Sequence, residues 1–308
     1  AEDYFQGRSK SIWEKYARHS IHNELLISLP RPILETLIVL GGVGALFFFM
    51  QDEGQGKELI PILVRVQEAG YQVAIHAIGD RAIELVQNAI DEAFNGTPVR
   101  ARIEHNLYIR PDLRQRYSEL NITPVMFGQI GTCWIDKVQG GVSTMGEYVH
   151  PERGLTEEGR TWVSPIRTLL SEFPDLPIAW KSDSPQLSVR PLDHLYGLVT
   201  HREIADVDYM WAVPGLAKGT VCQPPWWLEN ETITVEQALP LMTINAAYAL
   251  GMEKWIGSLE AGKFADLIIL SESPLKVDSD SLPNLNVLMT MVGGQVEYCA
   301  SGHEDLCP

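Results

Sequence analysis

Two histidines and an aspartate stand at the ends of short apolar runs in this 308-residue sequence. His76 lies near the end of the run 71–77, His105 closes the run 99–105, and Asp183 directly follows the run 177–182. Short apolar runs of this kind are typical of strands that are buried on both faces. Two imidazoles and one carboxylate that converge at one place suit a divalent metal such as zinc, in a site of one or two ions.

The chemistry that such a site would perform is hydrolysis. A divalent metal lowers the pKa of its bound water to about 7, so hydroxide becomes available at neutral pH. A carboxylate beside that water accepts its proton and delivers it to a leaving amine. A single histidine at a strand end is more often a structural residue, so the metal hypothesis depends on the repetition at three strand ends. A serine hydrolase that uses Ser182 or Ser184 is a weaker alternative, because the sequence lacks a G-x-S-x-G motif.

The elements that must position these residues alternate between strand and helix. Helical patterns occur at 58–69, from Asp80 to 94, at 111–120 and at 161–173, and strand-like runs occur at 71–77, 99–105, 122–127 and 177–182. Alternation over four units is typical of an α/β fold with a parallel sheet, either doubly wound or closed into a barrel. Parallel strands end at one edge, so His76, His105 and Asp183 are predicted to lie close together.

The pattern changes after residue 230. A long helix is predicted from Val235 to Leu250, followed by strands at 264–270 and 287–298 with no helix between them. Gly293 and Gly294 divide the second strand as a hairpin turn would. These strands predict a small antiparallel element that is appended to the α/β part.

Charge and hydropathy exclude several functions. Lys and Arg number 24 and Asp and Glu number 40, so the net charge is −16, and binding to nucleic acid or to an anionic membrane surface is not expected. The uncharged stretch Leu37 to Met50 is shorter than the roughly 20 residues of a spanning helix, and a buried strand-and-turn segment is expected there instead of a stable membrane span.

Cysteine usage bears on the compartment. The four cysteines are few and scattered, so no disulfide framework is expected, and a cytoplasmic location is favoured. The secretory pathway remains the alternative because three Asn-x-Ser/Thr triplets occur, at Asn95, Asn121 and Asn230.

Five sequence blocks together resemble one family. They are 76–82 (HAIGDRA), 102–105 (RIEH), 182–185 (SDSP), 243–247 (TINAA) and 257–267 (GSLEAGKFADL). In this order they are similar to the amidohydrolase superfamily, and within it to the amidohydrolase 3 group of YtcJ-like and N-substituted formamide deformylase-like proteins. The resemblance covers roughly residues 57–298, which is the carboxyl-terminal portion of that family's chain.

The resemblance implies a metal-dependent TIM barrel that hydrolyses amide-type C–N bonds. It implies that His76 and His105 are metal ligands on the fifth and sixth barrel strands, and that Asp183 is both a ligand and the catalytic general acid/base. The implied organisation is an irregular amino-terminal segment (1–56), a partial barrel domain (57–255) and carboxyl-terminal β-sandwich strands (256–308).

Four polar residues in or beside these blocks are assigned structural roles. Asp80 is expected to cap a helix and to have a charge partner. Glu104 is expected to point to the opposite side of its strand from His105 and to form a salt bridge. Asn245 and Asp266 are expected to serve helix packing and a strand-entry turn.

The sequence departs from the family pattern in three places. The family's His-x-His pair is missing, and His19 and His22 are spaced too widely to replace it on a strand. Glu35 is a poor candidate for the family's middle-strand ligand, and Lys181 stands where the family usually has a small residue.

The visible part of the barrel is also short. About four barrel units are visible, so the chain is expected to be part of a longer enzyme, with open sheet edges that favour self-association into a homo-oligomer.

Two functions follow from these observations. The first is metal-dependent hydrolysis of an amide, formamide or cyclic amide bond in a small-molecule substrate. The second is a catalytically silent, truncated remnant that has a binding or regulatory role. The glycine-rich segment 128–159 with Trp134 is the expected lid, and Trp211, Trp226 and Trp227 line either an apolar pocket or a packed loop.

Overall fold

A four-stranded parallel sheet forms the centre of the chain. The computed structural model describes residues 53–137, 157–184, 186–206, 208 and 212–307. The strands of the central sheet lie side by side in chain order: β1 (Val73–Ala77), β2 (Ala101–His105), β3 (Ile122–Phe127) and β4 (Ala179–Lys181). Every neighbouring pair is parallel. The predicted α/β class is confirmed, and in the described ranges this sheet is open and not closed into a barrel.

Helices connect the strands and cover the sheet. They are α1 (Glu53–Glu68), α2 (Asp80–Ala93), α3 (Pro111–Glu119), α4 (Thr132–Lys137), α5 (Glu157–Arg160), α6 (Ile166–Glu172), α7 (Pro191–Thr200), α8 (Trp226–Glu229), α9 (Val235–Met242) and α10 (Ile244–Ala249). The first three agree with the predicted helices within a few residues. Because α1 begins at Glu53, the expectation of an irregular segment over 1–56 is wrong for residues 53–56.

One predicted helix is shortened and another is divided. The helix expected over 161–173 is reduced to α6 (Ile166–Glu172), because Val163 forms a β-bridge with Tyr108 and Ser164 has a φ of 44°. The helix expected over 235–250 breaks at Thr243, whose φ of −124° and ψ of −95° lie outside the helical region. Both differences depend on contacts or backbone angles that a periodic pattern does not show.

The core lies between the parallel sheet and its helices. Leu59 and Leu63 on α1 and Ile83 on α2 are at most 2% exposed, and they pack with Ile75 and Ile103 of the sheet. Full burial of such a side chain stabilises the fold by about 1.5–3 kcal/mol. This core fixes the strands and therefore the places where their carboxyl ends emerge.

A three-stranded antiparallel sheet follows. It contains β7 (Leu267–Leu270), β8 (Val287–Val292) and β9 (Gln295–Cys299), with short 3₁₀ helices at Ser279–Asn284 and Glu304–Leu306. The predicted hairpin is confirmed, since Gly293 and Gly294 both have positive φ between β8 and β9. The expected sandwich is represented by this single sheet in the ranges described. Leu270 and Leu285 join it to the main core.

All four cysteines are paired, which contradicts the expectation of no disulfides. Cys133 is bonded to Cys222, and Cys299 is bonded to Cys307. The first pair is separated by 89 residues in sequence. It forms because α4 packs against the short strand pair β5 (Glu203–Ile204) and β6 (Val221–Cys222). Sequence spacing alone does not show this proximity.

A buried polar group surrounds the first disulfide, and we call it the Glu203 cluster: Thr132, Cys133, His201, Glu203 and Cys222. The backbone N–H of Cys133 donates to Glu203 Oε2 at 2.9 Å, and Thr132 Oγ1 donates to the carbonyl of His201 at 2.7 Å. Burial raises the pKa of Glu203 to about 7 and lowers that of His201 to about 4. Both groups are therefore held in their neutral forms at mildly acidic pH.

Several expectations concern residues beyond the described ranges. Outside the described ranges lie the segment 37–50, residues 138–156 of the expected lid, and the residues His19, His22, Glu35 and Trp211. Trp226 and Trp227 lie in the short helix α8 and not in a loop, and Trp227 is buried at 6% exposure whereas Trp226 is 54% exposed. Among the helices that the structure describes, none has the length and apolar character needed to cross a membrane.

Candidate functional site

The two histidines predicted to act together are in contact. His76 is the fourth residue of β1, and His105 is the last residue of the neighbouring strand β2. The centroids of their imidazole rings are 4.1 Å apart in an edge-to-face arrangement. The parallel pairing of β1 and β2 thus places both rings at the carboxyl edge, as the strand-end pattern predicts.

An unusual backbone angle turns His105 toward His76. The strand register aligns His76 with Glu104, so alternation alone would place His105 on the other face of the sheet. His105 has a φ of 83°, in the left-handed region, and Asn106 after it has a φ of 51°. The strand ends in this turn, which brings the His105 ring to the face that carries His76.

Glu104 shares this face, contrary to the expectation that it would point away from His105. Its Oε1 forms an ion pair with Arg102 Nε at 2.9 Å, which confirms the expected salt bridge. Its Oε2 lies 3.9 Å from Lys181 Nζ, and Lys181 also contacts His105. The prediction from alternation failed because the positive φ of His105 breaks the alternation at the strand end.

Lys181 lies at the centre of the group. Its Nζ is 2.9 Å from His105 Nε2 and 3.4 Å from Asp183 Oδ1. It is also 5.0 Å from the centroid of the Phe127 ring. We call His76, Glu104, His105, Lys181 and Asp183 the Lys181 cluster. The strand β4 ends at Lys181, so the third strand end contributes an ammonium group before it contributes Asp183.

Asp183 reaches the cluster from a turn. Its backbone φ is 55°, and its side chain is 25% exposed, compared with 7% for Glu104. The structure therefore brings together His76, His105 and Asp183 as predicted, but Asp183 meets the histidines through Lys181.

The charges of the cluster are set by burial. Burial, together with the nearby positive charge of Lys181, lowers the pKa of His76 to about 4. The same two causes place the pKa of His105 far below its usual value. Both imidazoles are therefore neutral at pH 7. Burial also lowers the pKa of Lys181, although Glu104 and Asp183 oppose this effect.

Two residues that the sequence analysis missed hold His105 in place. Asn106 is fully buried and donates from Nδ2 to the carbonyls of Ile103 and Val125. Tyr117 donates its hydroxyl proton to Asn106 Oδ1 at 2.6 Å. These bonds fasten the left-handed turn at the end of β2 to β3 and α3. The available signal was an Asn directly after a strand-ending His, since Asn tolerates positive φ better than most residues.

The arrangement does not fit a metal ion. Zinc binds an imidazole nitrogen at about 2.0–2.1 Å, but the lone pair of His105 Nε2 is engaged by Lys181 Nζ. Asp183 is also engaged by Lys181. Within the part of the chain that the structure describes, no group of three or more His, Cys, Asp and Glu side chains is arranged to hold a metal. The sequence analysis noted Lys181 as a departure but did not predict these contacts.

The residues assigned structural roles have structural partners. Asp80 begins α2, but the cap position belongs to Gly79, so the expected cap is wrong. Its expected charge partner is Arg110, at 3.3 Å. Asn245 donates to the carbonyl of Ile178 at 3.0 Å, and Asp266 accepts from the N–H of Gly293 at 2.6 Å.

A separate cleft of about 720 Å³ lies between α7, α9 and the antiparallel sheet. Its lining includes Trp180, Leu239, Tyr298 and His303. Trp180 precedes Lys181 in β4, and adjacent strand residues point to opposite faces. The cleft therefore lies across the sheet from the Lys181 cluster and is not part of the candidate site.

Comparison with known sequences is consistent with this geometry. The amidohydrolase family (Amidohydro_3) matches residues 38–298. An N-substituted formamide deformylase from Arthrobacter pascens is 28% identical over 249 residues, which are 80% of this chain and 40% of that protein. The putative amidohydrolase YtcJ of Bacillus subtilis is 27% identical over 248 residues, again 80% of this chain and 40% of that protein. The chain thus spans less than half the length of these relatives.

Solved structures show the same fold. An uncharacterized metal-dependent hydrolase from Pyrococcus horikoshii matches 76% of this chain and 40% of its own, with a TM-score of 0.55 and 22% identity. The strand-end residues His76, His105 and Asp183 all lie inside the range that the family matches. The chain therefore belongs to the amidohydrolase family.

Proposed function

We propose that this chain supplies the carboxyl-terminal part of the active site of a hydrolase that cleaves C–N bonds in small molecules. The observation that carries this proposal is the convergence of His76, His105 and Asp183 at one sheet edge within the range matched by the amidohydrolase family. The bond type is an amide, a formamide or a cyclic amide. The relative from Arthrobacter pascens, an N-substituted formamide deformylase, supports such a substrate.

Asp183 is the residue to which we assign proton transfer. Its carboxylate is the most exposed acidic group of the Lys181 cluster, and it faces the neutral imidazoles across Lys181. A carboxylate in this position accepts a proton from an attacking water and returns it to the leaving nitrogen. We assign no step of the reaction to the zinc predicted from sequence, because Lys181 contacts the atoms of His105 and Asp183 that would bind it.

A substrate panel tests this function. The chain is incubated with N-substituted formamides, linear amides and cyclic amides, and the release of amine is measured. We expect turnover of at least one class, and a loss of about 100-fold or more in Asp183→Asn. Asp112→Asn is the matched control, since Asp112 is a surface partner of Arg110 and its loss should leave turnover unchanged.

Two results would contradict the proposal. One is the absence of turnover across the whole panel by a folded chain. The other is an equal effect of the two substitutions, which would mean that Asp183 has no special role.

A second candidate function is a catalytically silent binding protein. The contact of 2.9 Å between Lys181 Nζ and His105 Nε2 favours it, because the nitrogen lone pair that a metal would need already accepts a hydrogen bond. A folded chain that binds small amides in calorimetry but releases no amine would support this candidate over the first.

A further inference from the structure

The Lys181 cluster already contains a cation. The ammonium of Lys181 is surrounded by one imidazole nitrogen and two carboxylates, at 2.9 Å from His105 Nε2, 3.4 Å from Asp183 Oδ1 and 3.9 Å from Glu104 Oε2. Nitrogen and oxygen donors of these types are also those that a divalent metal selects. The side chain is largely buried, at 17% exposure, so bulk water does not replace these partners.

A metal and this ammonium cannot be bound together at His105. The lone pair of an imidazole nitrogen points along one direction in the ring plane. Zinc would lie about 2.0–2.1 Å along that direction, whereas the Lys181 nitrogen lies 2.9 Å from the same atom. The two positions are much closer than the contact distance of two non-bonded atoms, and both carry positive charge. Binding of either one therefore excludes the other.

The surroundings keep Lys181 in this place. Its stem enters from the end of β4, and the ammonium lies against the face of the Phe127 ring. Glu104, which provides part of the compensating charge, is itself fixed by its ion pair with Arg102 at 2.9 Å. The network of Asn106 and Tyr117 fixes His105. Because both partners are held, the contact does not depend on the rotamer of a mobile surface lysine.

We propose that Lys181 is a built-in cation that takes the place of a divalent metal, so that zinc binds His105 only when Lys181 is removed or displaced. The inference concerns the same site as the proposed function, but it makes no use of hydrolytic activity. Removal of the ammonium should convert a site that excludes metal into one that uses His76, His105 and Asp183 as ligands.

Zinc content tests this proposal directly. Wild-type chain and Lys181→Met are dialysed against zinc at neutral pH, and bound metal is counted by inductively coupled plasma mass spectrometry, with the affinity from calorimetry. Methionine keeps the length of the stem but carries no charge. We expect little bound zinc in the wild type and close to one ion per chain in Lys181→Met, with affinity at least about tenfold higher.

Two controls locate the gain. Lys218→Met removes an exposed lysine that pairs with Asp206 and Asp208, and it should bind no more zinc than the wild type. Lys181→Met combined with His105→Ala should lose the gained ion. A folded Lys181→Met chain without extra zinc overturns the proposal, as does a wild-type chain that binds zinc at His105 with the affinity of the variant.

A measurement on the wild type keeps the proposal testable if Lys181→Met fails to fold. In nitrogen NMR spectra of histidine-labelled protein, His105 should show Nε2 as a hydrogen-bond acceptor, and its signals should not move when zinc is added in modest excess. A zinc-dependent shift of Nε2 would refute the exclusion.

These outcomes are separable from those of the proposed function. If Lys181→Met binds zinc while the folded wild-type chain releases no amine, this inference is supported and the proposed hydrolase is contradicted. A wild-type chain that holds zinc at His105 and releases amine would do the reverse.

Discussion

Two buried polar clusters in this protein each contain glutamate and histidine side chains, yet the groups that surround the glutamate differ. In the Lys181 cluster, Glu104 lies next to Arg102 and Lys181. In the Glu203 cluster, Glu203 accepts a hydrogen bond from the backbone of Cys133, and burial raises its pKa to about 7. The comparison shows that burial alone does not define the surroundings of a carboxyl group, because Glu104 has two cationic neighbours whereas Glu203 has a backbone N–H donor.

Removal of the Arg102 guanidinium, which pairs with Glu104 of the Lys181 cluster, should change the free energy of unfolding most. Arg102→Met leaves Glu104 buried without its nearest charge partner, which lies at 2.9 Å. Loss of one member of a buried pair typically costs about 3–5 kcal/mol, and we expect the free energy of unfolding to fall by that amount in urea denaturation. Arg100→Met is the control, since its pair with Glu253 is much more exposed and should cost about 1 kcal/mol or less. Equal losses would contradict the comparison.

The Glu203 cluster should make the stability of the fold depend on pH, because Glu203 is buried and burial disfavours its charged form. The pKa of Glu203 is about 7 in the folded state, above its ordinary value of 4.5, so the folded chain binds more protons than the unfolded chain between these two pH values. Its contribution to stability is complete below pH 4.5 and is lost as the pH rises to 7, by about 3 kcal/mol. His201, with a lowered pKa, acts in the opposite direction between pH 6.5 and about 4.

The substitution Glu203→Gln isolates the acidic group. Gln keeps the size of the side chain but does not titrate, and the contribution of His201 remains in both proteins. Denaturation from pH 4.5 to 8 should therefore show that the wild type loses about 3 kcal/mol relative to the variant across this range. Parallel stability curves for the two proteins would mean that Glu203 is ionised in the folded state.

A smaller effect is expected at the hydrogen bond that supports His105. Tyr117→Phe removes the donor to the buried Asn106 Oδ1 and should cost about 1–3 kcal/mol. The matched control is Tyr248→Phe, because the hydroxyl of Tyr248 donates to Asn121 in a partly buried position at 3.2 Å. We expect the control to change stability by about 0.5 kcal/mol or less in the same denaturation experiment. A larger loss in the control would refute the role of the Asn106 network.

The two disulfides predict a difference in thiol reactivity between the native and the reduced protein. Alkylation of the unreduced native protein should find no free thiol, and reduction should expose four. Since disulfides persist in oxidising compartments, protein isolated from its natural location decides between the cytoplasmic and the secretory alternatives. Free thiols in that protein would favour the cytoplasm.

The open sheet edges predict weak self-association. Among the described strands, β1 and β4 each have one neighbour in the central sheet. Unpaired edges are templates for pairing with a second chain, so light scattering should show a mass that rises with concentration. A constant monomer mass up to high concentration would remove the expectation of a homo-oligomer.

Sequence periodicity predicted the strands well, but it did not predict the orientation of the side chains at the strand ends. The four strands and the hairpin at Gly293 and Gly294 follow from apolar runs and glycine pairs, because these patterns reflect local burial and turn geometry. The positions of His76 and His105 at one edge followed from strand order. That Glu104 and His105 share one face could not be predicted, since it depends on the positive φ of His105.

Long-range contacts account for the remaining differences. The pairing of Cys133 with Cys222 spans 89 residues, and no local pattern encodes it. The contact between Lys181 and His105 likewise joins two strands that are not neighbours in the sheet. In both cases the residue types were visible in the sequence, but the distance between them was set by tertiary packing between elements far apart in the chain.

The left-handed turn at His105 has a consequence for anyone who wishes to redesign this site. The direction of the Cα–Cβ bond at position 105 is set by a φ of 83°, which β-branched residues rarely adopt. A library that varies only the amino acid at this position would therefore screen mostly for tolerance of the turn. Useful variation must come from positions with ordinary backbone angles, such as those that face the ring from β1 and β4.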